Sequence, residues 1–434
     1  MDDAVHNPTA GEVRALAHPL RSMDDLDALI TMLAHRRFVG LGEASHGTHE
    51  FYAWRAAISS RLIAEHDFRW IGVEGDWPDC WRIDRWARAD AHPELDARAM
   101  LASFERWPTW MWANEEVADF LDWLRSLNRT RPPEDRVGFY GLDVYSLWDS
   151  LREIIDWLQA NAPEDLPSAM SAWRCFVPYK EDPHEYAWST RLVPVSCETQ
   201  VVTLLSAVRR RALAAEDDAA FDALQNAEVA AGAEAYYRAM VRGDRESWNL
   251  RDRHMADTAD RIARHHGAGS KGILWEHNTH IGDARATDMS AAGMINVGEL
   301  LRDRHSAEGV ALVGFACHRG AVVAASAWGE TSRVFEVPPA ASPSHEALLH
   351  DEIGEDAVLL FGPSRAGPWL SCRRGHRAIG VVYDPRREHG NYVPTVMGAR
   401  YDALLWFEHT RAVRMLHPEA RAREPELETE PSGF

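Results

Sequence analysis

The stretch RFVGLGEASHGTHE (residues 37–50) joins a short apolar run to a loop that is dense in acids and histidines. The run RFVGLG (37–42) has the length and composition of a buried β-strand, and Phe51, Trp54 and Ile58 then recur at helical spacing. A strand that ends in a polar loop and leads into a helix is the first part of a βαβ unit. The stretch therefore predicts a parallel sheet with chemically active side chains at one edge.

The same alternation recurs along the chain. RWIGVE (69–74) and VGFYGLD (137–143) each precede a helical pattern, whereas helical patterns alone fill residues 150–266. We therefore predict an α/β fold with a mainly parallel sheet flanked by helices in three layers, and with a helical insertion subdomain that forms an active-site cleft. Residues 1–417 are expected to form one hydrolase-type domain, followed by a frayed tail at 418–434. The other predicted strands are 272–277, 309–317, 321–328, 357–361, 378–383 and 403–409.

Bulk composition excludes several classes of protein. The formal charge of −20 on 434 residues argues against a nucleic-acid binder, which would carry a basic surface. The N-terminus has no apolar signal segment, and no long window is uninterrupted enough to predict a membrane span. Five scattered cysteines without a C-x-x-C motif favour reduced thiols in a cytoplasmic protein.

Acids and imidazoles follow four of the predicted strands. In open α/β sheets the ligand binds at the carboxyl ends of the strands, so these side chains are expected to converge there. Any one of these residues could be polar simply because the end of a strand meets solvent. Exposure to solvent explains acids and imidazoles at all four strand ends less well. The residues at these ends are Glu43, His46, Glu74, Asp143, Glu276, His277 and His280.

The loop after the first strand suggests a general base. Gly42 and Gly47 are expected to let the backbone turn sharply, and Thr48 is a suitable N-cap for the next helix. His46 would then lie near a helix N-terminus, where the helix dipole favours a neutral imidazole, with Glu43 as its carboxylate partner. That pair is suited to deprotonating water. Glu50 is interpreted as structural, and His49 remains undecided.

A metal site is the competing interpretation of the same residues. The chain holds E-x-x-H at Glu43 and His46, and H-x-x-H at His46 and His49 and again at His277 and His280. H-E-x-x-H is absent and the first cluster is in a loop, so the spacing favours a site without metal. The sequence has no G-x-S-x-G, no P-loop and no G-x-G-x-x-G after a strand, which leaves activated-water hydrolysis as the simplest chemistry.

Thirteen of the eighteen tryptophans lie between Trp54 and Trp188, including the run WPTWMW (107–112). Packing of helices on the sheet explains most of them, and an aromatic-lined cleft for a large, partly apolar ligand is the alternative. In the helical segment 249–262, Arg253 and Asp257 have the i, i+4 spacing of an ordinary ion pair, although Arg253 could instead face the cleft.

These motifs, in this order, resemble those of the erythromycin esterase family. The resemblance implies an α/β fold with a helical subdomain over a deep cleft, and hydrolysis of a macrolide lactone without metal or other cofactor. It implies that His46 activates water, that Glu43 and Glu74 belong to the catalytic cluster, and that Arg55 supports the carboxylates. The blocks that carry it are 42–55, 73–79, 141–151, 249–259, 275–283, 297–302 and 401–410.

The same resemblance assigns further roles. Either His277 or His280 would polarise the carbonyl or stabilise the oxyanion, and Glu276 is an additional acid expected to alter that polarisation or the choice of substrate. The predicted partner is a small molecule, a macrolide or another large cyclic ester, and the oligomeric state is left open. The predicted substrate contacts are Trp77, Asp143, Tyr145 and Arg253.

Two other functions remain open from the sequence. One is a metal-dependent hydrolase of another ester, which uses the Glu/His cluster as ligands. The other is a protein that binds a ligand or haem through His46 and His277 without catalysis.

Overall fold

A nine-stranded sheet forms the centre of the molecule in a computed structural model that describes residues 11–89, 91–192, 196–215, 217–241, 244–362 and 368–417. Two further strands, β9 and β10, pair with each other outside it. The strands are β1 (Ala17–Pro19), β2 (Phe38–Leu41), β3 (Phe68–Val73), β4 (Gly138–Gly141), β5 (Lys271–Trp275), β6 (Val310–Ala324), β7 (Arg333–Val337), β8 (Ala357–Leu360), β9 (Arg373–Arg377), β10 (Tyr392–Val396) and β11 (Ala403–His409).

The sheet is mainly parallel, as predicted. Its order is β1-β8-β11-β6-β2-β5-β3-β4, and every pairing from β11 to β4 is parallel. The two strands at one end, β1 and β8, and the hairpin strand β7 pair antiparallel. In register, Leu41 lies beside Trp275 and Val313, so β2, β5 and β6 run side by side toward the same edge.

Helices cover both faces of the sheet and make up the segment between β4 and β5. They are α1 (Asp27–Leu33), α2 (His49–Glu65), α3 (Trp77–Ala87), α4 (Ala97–Leu101), α5 (Glu115–Asn128), α6 (Leu147–Asn161), α7 (Leu166–Phe176), α8 (Pro183–Leu192), α9 (Glu198–Ala215), α10 (Asp218–Met240), α11 (Asp244–His265), α12 (Asn278–Ile281), α13 (Val297–Gly309), α14 (His345–Glu352), α15 (Pro368–Ser371) and α16 (Met397–Arg400).

Successive side chains of β2 point to opposite faces of the sheet, which explains the three layers of helix, sheet and helix. Val39 and Leu41 pack on one face with Phe51 of α2, whereas Phe38 packs on the other face with Leu312. A separate apolar cluster holds α6 to α10 together. The residues from 37 onward therefore form a strand, a loop and a helix, in the order that the sequence pattern predicts.

The cysteine prediction is wrong for one pair. Cys175 at the end of α7 and Cys197 just before α9 form a disulfide. They are 22 residues apart in sequence, and no local motif marks them, because it is the packing of α7 against α9 that brings the sulfurs together. The cysteines therefore do not support a reducing compartment. Cys80, Cys317 and Cys372 are free.

Two strand predictions also need correction. The runs 309–317 and 321–328 belong largely to one strand, β6, which continues through Gly320 instead of ending there. The run 378–383 makes isolated bridges, Ile379 to Ser45 and Val382 to Ala325, because it lies beside the loop after β2 and the end of β6. The predicted tail at 418–434 lies outside the described residues.

No helix within the described residues has both the length and the apolar character needed to cross a membrane.

Candidate active site

Backbone hydrogen bonds join the loops that follow β2, β3, β4 and β5. Asn278 N donates to Glu43 O (2.8 Å), and Glu74 N donates to Trp275 O (3.0 Å). Asp143 N donates to Gly75 O (3.0 Å), which ties the third loop to the second. The four strand ends thus meet at one edge, and their acids and imidazoles lie together.

The glycines of the first loop are required for close packing. A Cβ on Gly42 would overlap the Asn278 side chain, and one on Gly47 would overlap the Val323 backbone. Neither glycine has a left-handed φ, so the predicted sharp turn is not their reason. Thr48 does occupy the N-cap of α2, but its hydroxyl bonds to Ser45 and not to the helix.

His46, Glu43 and Arg55 form a buried chain. Glu43 Oε1 lies 2.9 Å from His46 Nδ1, and Glu43 Oε2 accepts from Arg55 Nη2 at 2.9 Å. A carboxylate can only accept, so the proton of His46 is on Nδ1 and the basic nitrogen is Nε2. Arg55 is fully buried, with its guanidinium over the rings of Tyr52 and Trp275. Its place on α2 therefore fixes Glu43, and Glu43 in turn orients His46.

His277 faces His46. Their ring centroids are 4.8 Å apart. Thr279 N donates to His277 Nδ1 (3.3 Å), so in the neutral ring the proton is on Nε2, which is buried and has no hydrogen-bond partner among the described residues. Burial, together with the neighbouring His46, holds the pKa of His277 well below its usual value. His277 is therefore a neutral donor opposite a base.

Arg251 links the acids that follow β3 and β4. Its Nη2 donates to Glu74 Oε1 (2.7 Å) and to Asp143 Oδ2 (2.8 Å), and its Nε donates to Asp143 Oδ1 (3.0 Å). Burial alone would raise the pKa of Glu74, but His280 and Arg251 outweigh it and lower that pKa. The pKa of Asp143 is likewise lowered by Arg251 against the effect of burial. Both carboxyls are therefore ionised.

His280 lies beside Glu74 and packs against side chains of α11. Its Nδ1 is 2.9 Å from Asp252 Oδ1, its ring is stacked on Trp248, and its Nε2 is 3.4 Å from Glu74 Oε1. Burial by itself would lower the pKa of His280, but the carboxylates of Asp252 and Glu74 raise it to about 9. Of the two candidate histidines after β5, His277 is thus the one that faces His46.

A narrow cavity of about 50 Å³ opens onto this edge. Glu74, Asp143 and Tyr145 contribute to its floor, and Arg106 crosses its wall to pair with Asp76. Aromatic side chains make up much of the remaining wall, which is the aromatic-lined cleft left open by the tryptophan pattern. They are Phe104, Trp107, Trp112 and Trp328.

The comparisons with known proteins agree with this architecture. The family model described as erythromycin esterase matches residues 63–410. The chain belongs to the erythromycin esterase family. The matched region contains Glu74, Asp143 and His277, whereas Glu43, His46 and Arg55 precede it, so their place in the site rests on geometry.

Solved structures share the fold of this family member. A succinoglycan biosynthesis protein is 18% identical with a TM-score of 0.75, covering 94% of this chain and 97% of that chain. A Bacillus cereus protein is 19% identical with a TM-score of 0.76, covering 94% and 98%. A mutant of the erythromycin esterase EreC in its open conformation is 17% identical with a TM-score of 0.65, covering 94% and 97%. Family membership makes this chain a hydrolase of the esterase type.

Two predicted site residues, and the undecided His49, lie elsewhere. Trp77 packs against Trp81 and Tyr140 on the far face of the sheet, because α3 turns that side chain into the core. Arg253 is exposed on α11, and Asp257 pairs with Arg304. The undecided His49 lies outside the catalytic edge, with its Nδ1 2.6 Å from Glu116.

Arg251, Asp252 and Thr279 were missed by the sequence prediction. The sequence did contain a signal for Arg251. The buried face of α11 carries Met255, Ala259 and Ile262, and one helical turn before Met255 the residue on that face is Arg251 and not Arg253. Asp252 carried the same signal, because Ala256 and Ala259, four and seven residues farther along α11, are buried. Its partner His280 comes from a distant segment and could not be identified from spacing.

Glu276 is an unusual acid next to this site. It is completely buried, and neither carboxyl oxygen has a hydrogen-bond partner among the described residues. Burial above all raises the pKa of Glu276 well above its usual value, and the charges of Glu74 and Asp252 add to the effect. The group is therefore held as a neutral acid.

The hydrogen bonds at the site fit a base better than a set of metal ligands. Glu43 uses one oxygen for His46 and the other for Arg55. Glu74 uses one oxygen for Arg251 and the other for His277 N. Both carboxylates are thus held by donors of the protein, and Glu43 in particular is placed to orient His46 as a base.

Proposed function

We propose that this esterase opens the lactone of a macrolide or a related large cyclic ester with water activated by His46. The observation that carries the proposal is the buried Glu43–His46 pair facing the His277 ring at 4.8 Å. We call Glu43, His46, Glu74 and His277 the catalytic group.

His46 is the base in the first step. Its Nε2 takes a proton from water as the water oxygen bonds to the ester carbonyl carbon, and the carbonyl π electrons move to the oxygen. Glu43, held by Arg55, stabilises the imidazolium that forms. When the tetrahedral intermediate collapses, the ring C–O bond breaks, and the imidazolium returns its proton to the leaving alkoxide oxygen. The product is the open-chain hydroxy acid.

His277 stabilises the oxyanion of the tetrahedral intermediate. Its Nε2–H makes no hydrogen bond of good geometry among the described residues, and in the proposed step it turns from the nearby Ala44 backbone to the ester carbonyl oxygen as charge develops there. Glu74 accepts from His277 N at 2.9 Å and fixes the backbone of that donor. Arg251 keeps Glu74 ionised and in place.

The lining of the cavity supports a substrate that is large and partly apolar. At about 50 Å³ the cavity is narrower than the roughly 300–1,000 Å³ that small-molecule sites occupy, so a large substrate requires the aromatic wall to open. Tyr145 and the tryptophans of the wall supply flat apolar surface, and Asp143 lies at the floor. His46 is 1% exposed and His277 is 4% exposed, so the cavity wall has to part for the ester to reach them. A macrolide opened in this way would be inactivated as an antibiotic.

The test is incubation of chelator-treated protein with a fourteen-membered macrolide, with product mass followed by mass spectrometry. We expect a product heavier by one water from wild type and none from His46→Ala. His49→Ala is the matched control, because that histidine is three residues away but bonds to Glu116. It is expected to retain activity.

The possible outcomes separate the alternatives. Loss of activity on chelation that is restored by metal, and that occurs also in His350→Ala with its fold retained, would replace the histidine mechanism with a metal-dependent one. No product from folded wild type with metal present would reject the macrolide substrate.

A further inference from the structure

A second group of histidine and carboxylate side chains lies on the pair of strands β6 and β11, apart from the catalytic group. Phe407 pairs with Cys317 in these parallel strands, so His318 and Glu408 are neighbours on the same face. His350 of α14 covers them, with its ring stacked on His318 at 3.7 Å between centroids. We call His318, His350 and Glu408 the outer group.

The ligand atoms of the outer group converge. One atom from each side chain lies within 4.8 Å of the other two. His350 Nδ1 is 2.6 Å from Glu408 Oε1, but the contact lacks the angle of a hydrogen bond. Three elements that are distant in sequence thus direct lone pairs at one small volume.

Three polar atoms of the outer group are buried without hydrogen bonds. Among the described residues, His318 Nδ1 and Glu408 Oε2 have no hydrogen-bond partner, and His350 Nδ1 has only its close contact with Glu408 Oε1. Buried polar atoms normally are hydrogen-bonded, so a cluster of three at one point calls for a ligand that accepts lone pairs.

We propose that the outer group binds a divalent transition-metal ion of the zinc type. Two imidazoles and one carboxylate are a common zinc-binding set, and water completes the fourth position. Solvent can supply that water, since the side chain of His350 is 41% exposed and that of Glu408 is 22% exposed.

A small movement completes the geometry. Ligand atoms around a tetrahedral zinc lie roughly 3.3 Å apart, because each is about 2.0–2.1 Å from the metal. The outer group departs from that spacing in both directions, since His350 Nδ1 and Glu408 Oε1 are 2.6 Å apart and the widest pair is separated by up to 4.8 Å. The exposed ring of His350 has room to turn out of its stack on His318. The His318 backbone is already fixed, since Arg377 Nη1 donates to its carbonyl at 2.9 Å while Glu388 balances the arginine charge.

The bound ion would join α14 to β6 and β11. These strands extend beyond the catalytic edge, because His318 is five residues past Val313, which pairs with Leu41. That is roughly 16 Å farther along the strand. The site is thus a clamp on the extended strands and does not contact the cavity.

The test is metal binding by the full chain after chelator treatment and dialysis. Cobalt(II) is titrated and followed by visible absorption, and zinc(II) is titrated by calorimetry. We expect one ion per chain, with the intense visible bands of tetrahedral cobalt, and a raised melting temperature in zinc. His350→Ala and Glu408→Gln should each weaken binding by about tenfold or more. His350 and Glu408 are partly exposed, so these variants should fold even if His318→Ala does not.

Two controls locate the ion. His409→Ala alters an exposed histidine next to Glu408, and His46→Ala alters the catalytic group; both should bind the ion like wild type. Absence of binding by wild type at millimolar metal would overturn the proposal. So would binding that His350→Ala and Glu408→Gln leave unchanged, or that His46→Ala abolishes.

Discussion

The catalytic group and the outer group are made of the same two kinds of side chain, yet their hydrogen bonds differ. Each carboxylate oxygen of Glu43 and Glu74 is paired with a donor from another part of the chain. In the outer group, His318 Nδ1 and Glu408 Oε2 are left without a partner among the described residues. The allocation of hydrogen bonds to the carboxylates, and not the presence of histidine and glutamate, therefore separates a positioned base from a set of ligands.

The largest expected effect tests the pairing in the catalytic group. Glu43→Gln removes the charge that orients His46 and stabilises its imidazolium, and it leaves Arg55 buried opposite a neutral amide. We expect kcat for ester hydrolysis to fall by about 10²–10⁴-fold. Steady-state kinetics on a macrolide or a surrogate ester would measure the loss.

Glu50→Gln is the matched control for that loss. Glu50 is in the same segment but pairs with exposed Arg411. Equal losses in both variants would mean that the charge of Glu43 has no special role, and the contrast between the two groups would fail.

The next effect concerns stability. Arg251→Met removes the cation between Glu74 and Asp143 and leaves two buried carboxylates without it. We expect the free energy of unfolding to fall by about 3–5 kcal/mol, measured by urea denaturation. Arg253→Met, two residues away and exposed, should change it by no more than about 0.5 kcal/mol. Similar changes in both variants would contradict the buried network.

The strands were predictable because their signals are local. RFVGLG and the apolar run at 403–409 carry their burial in consecutive residues, and the parallel order follows from the alternation with helices. The segment 378–383 is equally apolar but forms only isolated bridges, since its neighbours are a loop and the end of β6. Composition alone cannot distinguish a strand from an extended chain that lies against one.

The site was predictable to the extent that strand ends meet at one edge. Glu43, His46, Glu74 and His277 follow β2, β3 and β5 directly, so the topology places them together. Trp77 comes just after β3 as well, but the first turn of α3 directs its ring to the opposite face. The disulfide of Cys175 and Cys197 and the outer group depend on packing between distant segments, which no spacing in the sequence encodes.

A smaller effect depends on pH. The folded pKa of His280 is raised to about 9 from 6.5, so its contribution to stability is fully present below pH 6.5 and is lost as the pH rises through 9. The shift corresponds to about 3 kcal/mol. Urea denaturation at pH 6 and pH 9.5 measures the free energy of unfolding of wild type and of His280→Asn. The difference between the two proteins should be smaller at pH 9.5 than at pH 6 by about 3 kcal/mol. A constant difference would mean that Asp252 and Glu74 do not hold a charged ring.

The smallest expected effect is a gain in stability on replacing Glu276. Glu276 is buried without a hydrogen-bond partner among the described residues, and its pKa is raised, so folding at neutral pH requires the carboxylate to take up a proton. A raised folded pKa gives stability that is present below the unfolded value near 4.5 and is lost as the pH rises. Glu276→Gln keeps the shape without the proton uptake, so the variant should gain about 1.4 kcal/mol over wild type for each pH unit above 4.5, until the folded pKa is reached. Denaturation at pH 4.5, 5.5 and 6.5 would measure this slope. A flat difference would mean that Glu276 is ionised in the folded protein, and an ionised Glu276 would need a cation beside the catalytic group.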